Sequence, residues 1–341
     1  MATWKDNATV LVLNEIYNKV KEPELRKILT GYRKKFVNIR AKQEKEFAKF
    51  YVDLYYSILV FLNSRNTLTK KSFKEINVLI DSLFTHLIAN QVLSIKNNVL
   101  ISVKIGADIA RNYFKTAVKK SGIAEARNII DKLDTLILYD TDKTFDLVFE
   151  YSWGKKKTTL SKRIWGGNQR AKKGIKKIIE YYEANNINDP RLLAKDLEGY
   201  LKQNTPVSRK LRKLIPGIPK NVSYEALRVA RSEINQGFTQ SLYNSSRETY
   251  GYNGIFWVLS SRHPEFDICT IYANTKKYGQ KGFFPAGKEP RVPHPNCLCV
   301  QIADYNIDKL VEDLKGWEKY PKKYTKLDSY IKTLNRKVGQ I

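Results

Sequence analysis

The sequence predicts a mainly α (α+β) protein in which an N-terminal long-helix region precedes a small α+β core with a short antiparallel sheet. Three observations carry this. Apolar residues recur at helical spacing through the first 150 residues, where Pro23 is the only proline. A helical pattern over 223–248 runs into Ile255-Phe256-Trp257-Val258-Leu259, a block of strand formers. Residues 297–303 supply a second short run able to pair with it.

Taken in order, residues 9–17 and 24–63 predict two helices, the second open to interruption. Ile76, Leu79, Ile80, Leu83, Phe84, Leu87 and Ile88 share one face of a 3.6-residue period, and 101–116 and 124–138 predict two more helices. Residues 260–296 read as loop, with Gly279, Gly282, Gly287 and five prolines. The tail, 307–338, reads as two short helices around Pro321. These shifts divide the chain into a helical region 1–150, a basic helical connection 151–222, an α+β core 223–305 and a basic helical tail 306–341.

Charge is the compositional outlier: 61 Lys+Arg against 34 Asp+Glu, a net +27. Such an excess repels itself unless an anionic partner balances it, so nucleic acid or an anionic membrane surface is the expected partner. From 151 to 179 there are ten basic residues and no acidic one: Lys155, Lys156, Lys157, Lys162, Arg163, Arg170, Lys172, Lys173, Lys176 and Lys177, with Trp153 and Trp165 among them. Cations interleaved with aromatics suit phosphate contact and base stacking, and equally describe a solvated helix face. The most apolar run, 54–62, is too short to span a bilayer, so no membrane-spanning segment is expected. The first residues carry no basic n-region, so no signal peptide is expected and synthesis is placed in the cytoplasm.

All three cysteines, Cys269, Cys297 and Cys299, lie within 37 residues together with His263 and His294, two of the three histidines. Thiolate and imidazole are the donors Zn²⁺ favours, and four of them close a tetrahedral structural site. Cys269, Cys297 and Cys299 are therefore expected to staple the loop through zinc, with His263 and His294 contesting the fourth place. A metal-free cluster of buried thiols fits the same spacing. Period-2 geometry would put the Cys297 and Cys299 thiols on one side of a strand. His86 reads as an ordinary helix-flank residue.

Glu233, the run Phe256-Trp257-Val258-Leu259-Ser260, the turn Ser261-Arg262-His263-Pro264-Glu265-Phe266-Asp267-Ile268-Cys269, Phe284-Pro285 and Pro293-His294-Pro295-Asn296-Cys297-Leu298-Cys299 together resemble the minor head protein family of tailed bacteriophages, that of phage Mu's F-type head morphogenesis protein. The resemblance covers roughly 161–304. Leu298 departs from the family's usual arginine between the two cysteines. The resemblance implies a virion component inside the head near the portal vertex. It would be present in few copies, bind the portal protein and possible capsid or scaffold partners, and aid DNA packaging or delivery without catalysing a reaction. Two other readings compete: a zinc-stapled DNA nuclease of the His-metal finger type, for which His294-Pro295-Asn296 would be the catalytic segment, and an RNA-binding zinc protein.

Overall fold

The computed structural model describes residues 16, 18–124, 126–150, 160–202, 209–215, 222–260, 266–294, 297 and 299–341. The expected helix at 9–17, apart from Ile16, and the residues Trp153, Lys155, Lys156, Lys157 and His263 lie outside the described residues. The fold is mainly helical, 76% of it, with one small antiparallel sheet of three strands. Two helices dominate: α1 (Pro23–Asn63), which is uninterrupted, and α2 (Lys70–Ser121). They are followed by α3 (Ala126–Glu150), α4 (Leu160–Ala184), α5 (Pro190–Leu201), α6 (Arg209–Leu214) and α7 (Val222–Arg247). After α7 come β1 (Tyr252–Val258), α8 (Ile268–Asn274), β2 (Phe283–Pro285), β3 (Val300–Tyr305), α9 (Ile307–Lys319) and α10 (Thr325–Val338).

The patterns at 76–88 and 101–116 belong to one helix, α2. Its buried residues Ile76, Ile80, Phe84, Leu87, Ile95, Val99 and Val103 keep the helical spacing throughout. By length and composition α2 is long and apolar enough to cross a membrane, a test that the shorter run 54–62 does not meet. One third of its most apolar window is buried inside the protein.

The chain forms two compact units, each built from separated stretches: 1–40, 98–149 and 232–341 in one, 41–97 and 150–231 in the other. In the second unit a buried polar chain joins three helices. Tyr51 donates to Asn168 Oδ1 at 3.0 Å, and Asn168 Nδ2 donates to Gln91 Oε1 at 2.7 Å. Arg231 reaches Glu44 at 2.7 Å in the same unit.

In the first unit α2 and α7 cross at glycines. A Cβ on Gly106 would stand 2.5 Å from the Phe238 carbonyl oxygen, and one on Gly237 would stand 2.9 Å from Ser102 Oγ. The backbones approach closely enough for Ser241 Oγ to donate to the Val103 carbonyl at 2.6 Å. Phe36 of α1 packs on Phe238 with ring centroids 4.6 Å apart.

The sheet has order β2-β1-β3, with Ile255 opposite Phe284 and Ala303, and Val258 opposite Val300. Gly254 sits at φ 152°, and a Cβ there would stand 2.1 Å from the Phe284 carbonyl oxygen, so only glycine passes this point. β1 is buried from Gly254 to Val258, and Trp257 meets Tyr272 edge-on at 5.2 Å. β3 begins at Val300, where pairing with β1 ends. Cys297 and Cys299 thus precede the strand instead of lying on it. The expected 260–296 loop likewise contains α8 and β2, the first nucleated by a capping box and the second by pairing with β1.

Candidate metal centre

Cys269 is placed by the start of α8. Asp267 is the N-cap, its Oδ1 accepting from the Cys269 N–H at 2.7 Å, while Thr270 Oγ1 accepts from the Asp267 N–H to complete the box. Asp267 Oδ2 lies 3.1 Å from His294 Nε2. Cys269 Sγ stands 3.2 Å from that same nitrogen and 3.6 Å from Cys297 Sγ. The sulfurs of Cys269, Cys297 and Cys299 all lie within 4.8 Å of one another, as do the donor atoms of Asp267, Cys269 and His294. All three cysteines are buried and none forms a disulfide.

Three buried cysteines close together can hold a metal ion. Without one, Cys269 and Cys297 resist ionisation. Cys297 and Cys299 beside it, together with burial, push the Cys269 thiol far up. At Cys297 the Cys269 contact acts downward, but Cys299 and burial prevail and push that thiol up to about 12. A dication reverses this, because a coordinated thiol gives up its proton.

The scaffold around the cluster is fixed from several sides. Asn235 of α7 donates to the Cys297 carbonyl at 3.2 Å, and Thr239 donates to Gln301 Oε1 at 3.0 Å. Upstream of His294, Glu289 takes both Arg247 and the Tyr252 hydroxyl (2.9 Å), and Tyr243 donates to the Pro290 carbonyl at 3.1 Å. The Glu289 side chain is fully buried, so this clamp pins the loop carrying His294. Arg33 of α1 is buried as well. Burial and the neighbouring Arg40 pull its guanidinium down to about 9, while Cys299 acts in the opposite sense.

Of the expected ligands, the structure brings together Cys269, Cys297 and Cys299, and sets His294 beside Cys269 in a second group with Asp267. Asp267, Asn235, Glu289 and Arg33 were not singled out by the sequence reading. Asp267 had a legible signal, a D-x-x-T start just before an apolar run; the other three had none.

The described part of the basic stretch, from Lys162 on, lies in one amphipathic helix, α4. Ile164, Ala171, Ile175, Ile178 and Ile179 are buried, and Lys162, Trp165, Arg170 and Lys173 are exposed. Trp165 is 56% exposed, so it does not anchor a core. Lys172 and Lys176 both turn to Asp81 of α2, Lys176 at 2.9 Å. Arg163 and Lys177 are half-buried. His86 is exposed, away from the cysteines in sequence.

Compared with known protein families, curated proteins and solved structures, this chain matches none.

Proposed function

We propose that this chain is a minor head protein of a tailed bacteriophage, a non-enzymatic component held inside the head at the portal vertex. The observation that carries the reading is the convergence of Cys269 with Cys297 and Cys299. These are the cysteines of the two motif segments that resemble the family, and they meet at one buried point. Glu233 and Trp257, which belong to the same resemblance, are buried in the same unit.

The metal in this reading is Zn²⁺, held by Cys269, Cys297, Cys299 and His294. Tetrahedral zinc with sulfur at about 2.3 Å sets sulfurs about 3.8 Å apart, and Cys269 and Cys297 stand at 3.6 Å. Three thiolates and a neutral imidazole around Zn²⁺ leave one net negative charge, which the buried Arg33 guanidinium offsets. The ion's role is structural: it closes the segment between Cys269 and Cys297 onto the sheet. The exposed Lys162, Trp165, Arg170 and Lys173 supply sequence-independent contacts to packaged DNA, in line with the net +27.

The test is co-expression with the portal protein of the same phage, followed by size-exclusion chromatography at low salt without DNA. Co-elution with the portal ring, and no nicking of supercoiled plasmid in Mg²⁺, are expected. Failure to co-elute together with nicking abolished by His294→Ala would replace this reading with the His-metal finger nuclease.

A further inference from the structure

The first unit holds an open groove of about 680 Å³ between α1 and the C-terminal end of α2, remote in sequence from the cysteines and from the basic stretch of α4. Lys27, Lys35, Lys119 and Lys120 line it, against one carboxylate, Glu24. That carboxylate is already taken, because Lys120 pairs with it at 2.9 Å and also reaches Asp308 at 3.6 Å. Among the described residues Lys27, Lys35 and Lys119 form no ion pair. Lys35 lies over the Tyr32 ring, 4.7 Å from its centroid. The groove thus carries Lys27 and Lys119 with no carboxylate within ion-pair distance among the described residues, and Lys35, partly offset by the charge of Asp108, around a fixed aromatic.

Tyr32 adds direction to this charge. Its hydroxyl oxygen accepts from Asn112 Nδ2 at 2.6 Å, and Asn112 is itself fixed by donating to the Asp108 carbonyl at 2.8 Å. With its oxygen acting as acceptor, the phenol proton remains for a ligand in the groove. The floor is open at Gly31, where an added Cβ would meet nothing within 4 Å. Three cations, one oriented O–H donor and a volume in the usual ligand range describe a site for phosphoryl oxygens.

We propose that this groove binds phosphoryl groups, taken either from a nucleic-acid backbone or from a free polyphosphate compound. The site is independent of the cysteine cluster and of the minor head reading, and neither needs to hold for it to exist.

The experiment is titration calorimetry on the full chain with inorganic tripolyphosphate and, separately, short duplex DNA. The variants are Lys27→Ala/Lys119→Ala, Tyr32→Phe and Gly31→Leu, with Lys322→Ala/Lys326→Ala as a control of equal charge on the exposed tail. Gly31→Leu fills the groove at a helical position with open space, so it should fold at least as stably as the parent. The lysine pair and Gly31→Leu should each weaken binding about tenfold or more, Tyr32→Phe several-fold, and the control far less. A loss confined to DNA assigns the backbone as the source; a loss confined to tripolyphosphate assigns a free phosphate compound. Unchanged binding of both probes by Gly31→Leu and by the lysine pair, or an equal loss in the control, overturns the proposal.

Discussion

Asp267 joins the two halves of the cysteine cluster through its two oxygens: Oδ1 caps the helix that carries Cys269, and Oδ2 stands 3.1 Å from His294 Nε2. One carboxylate thereby sets both the start of α8 and the position of an imidazole 27 residues later. Asparagine caps a helix as well as aspartate does but carries no charge for the imidazole. Asp267 Oδ2 and the Cys269 sulfur face the same nitrogen, Nε2, so Asp267→Asn should leave the thermal midpoint of the metal-loaded protein nearly unchanged and should not weaken metal affinity, read by competition with a chelator. His294→Ala should lower that affinity, whereas loss only in His263→Ala would transfer the fourth place to His263.

Gly106 sets the closeness of α2 and α7, since its missing Cβ leaves 2.5 Å to a backbone oxygen that cannot rotate away. Gly106→Ala should therefore destabilise by about 1–3 kcal/mol through overpacking, despite alanine's better helix propensity. Urea denaturation of variant and parent measures it; a neutral or stabilising result would show that the two helices separate at little cost.

The salt link of Asp134 gives a pH dependence with a defined sign. Burial acts to raise this carboxyl, but Arg111, bidentate at 2.7 Å, and Lys115 at 2.9 Å outweigh it and hold it below the usual range. A carboxylate lowered on folding stabilises above its unfolded value, about 3.9, and loses that contribution as pH falls through the folded value. Asp134→Asn should thus cost about 1 kcal/mol at neutral pH, an amount reduced by the partial exposure of Arg111 and Lys115. The difference should shrink as pH falls through the folded value and vanish below it. Parallel melts across pH would contradict this if the gap stayed constant.

For α4, charge reversal at Lys162, Arg170 and Lys173 should flatten the slope of log K against log salt for duplex DNA, because fewer counterions are displaced. Trp165→Ala should weaken single-stranded DNA more than duplex, since stacking requires an unpaired base face. An unchanged salt slope would leave this stripe as a solvated helix face.

Much of this was legible in the sequence where one signal dominated. The strand formers 255–258 became the centre of the sheet, with Leu259 just past its end, and the crowding of cysteines into one segment marked the cluster. The joining of 76–88 and 101–116 into one helix was hidden because its buried face carries polar residues. Gln91, Asn98 and Ser102 are all buried, Gln91 Oε1 accepting from Asn168 and Ser102 donating to the Val99 carbonyl, so the apolar period breaks while the helix does not. Cys297 and Cys299 were read as strand residues because alternation alone cannot say where pairing stops. The lysine groove was invisible for a different reason: Lys27 and Lys119 meet only when two long helices are laid side by side.

The most direct measurement is X-ray absorption at the zinc edge of freshly purified, reduced protein, with metal stoichiometry determined on the same sample. The account predicts about one zinc per chain, with three sulfur neighbours at about 2.3 Å and one nitrogen at about 2.0–2.1 Å, and loss of the metal in Cys297→Ser. Protein that binds no zinc when it is supplied, or zinc surrounded only by oxygen and nitrogen, would contradict it.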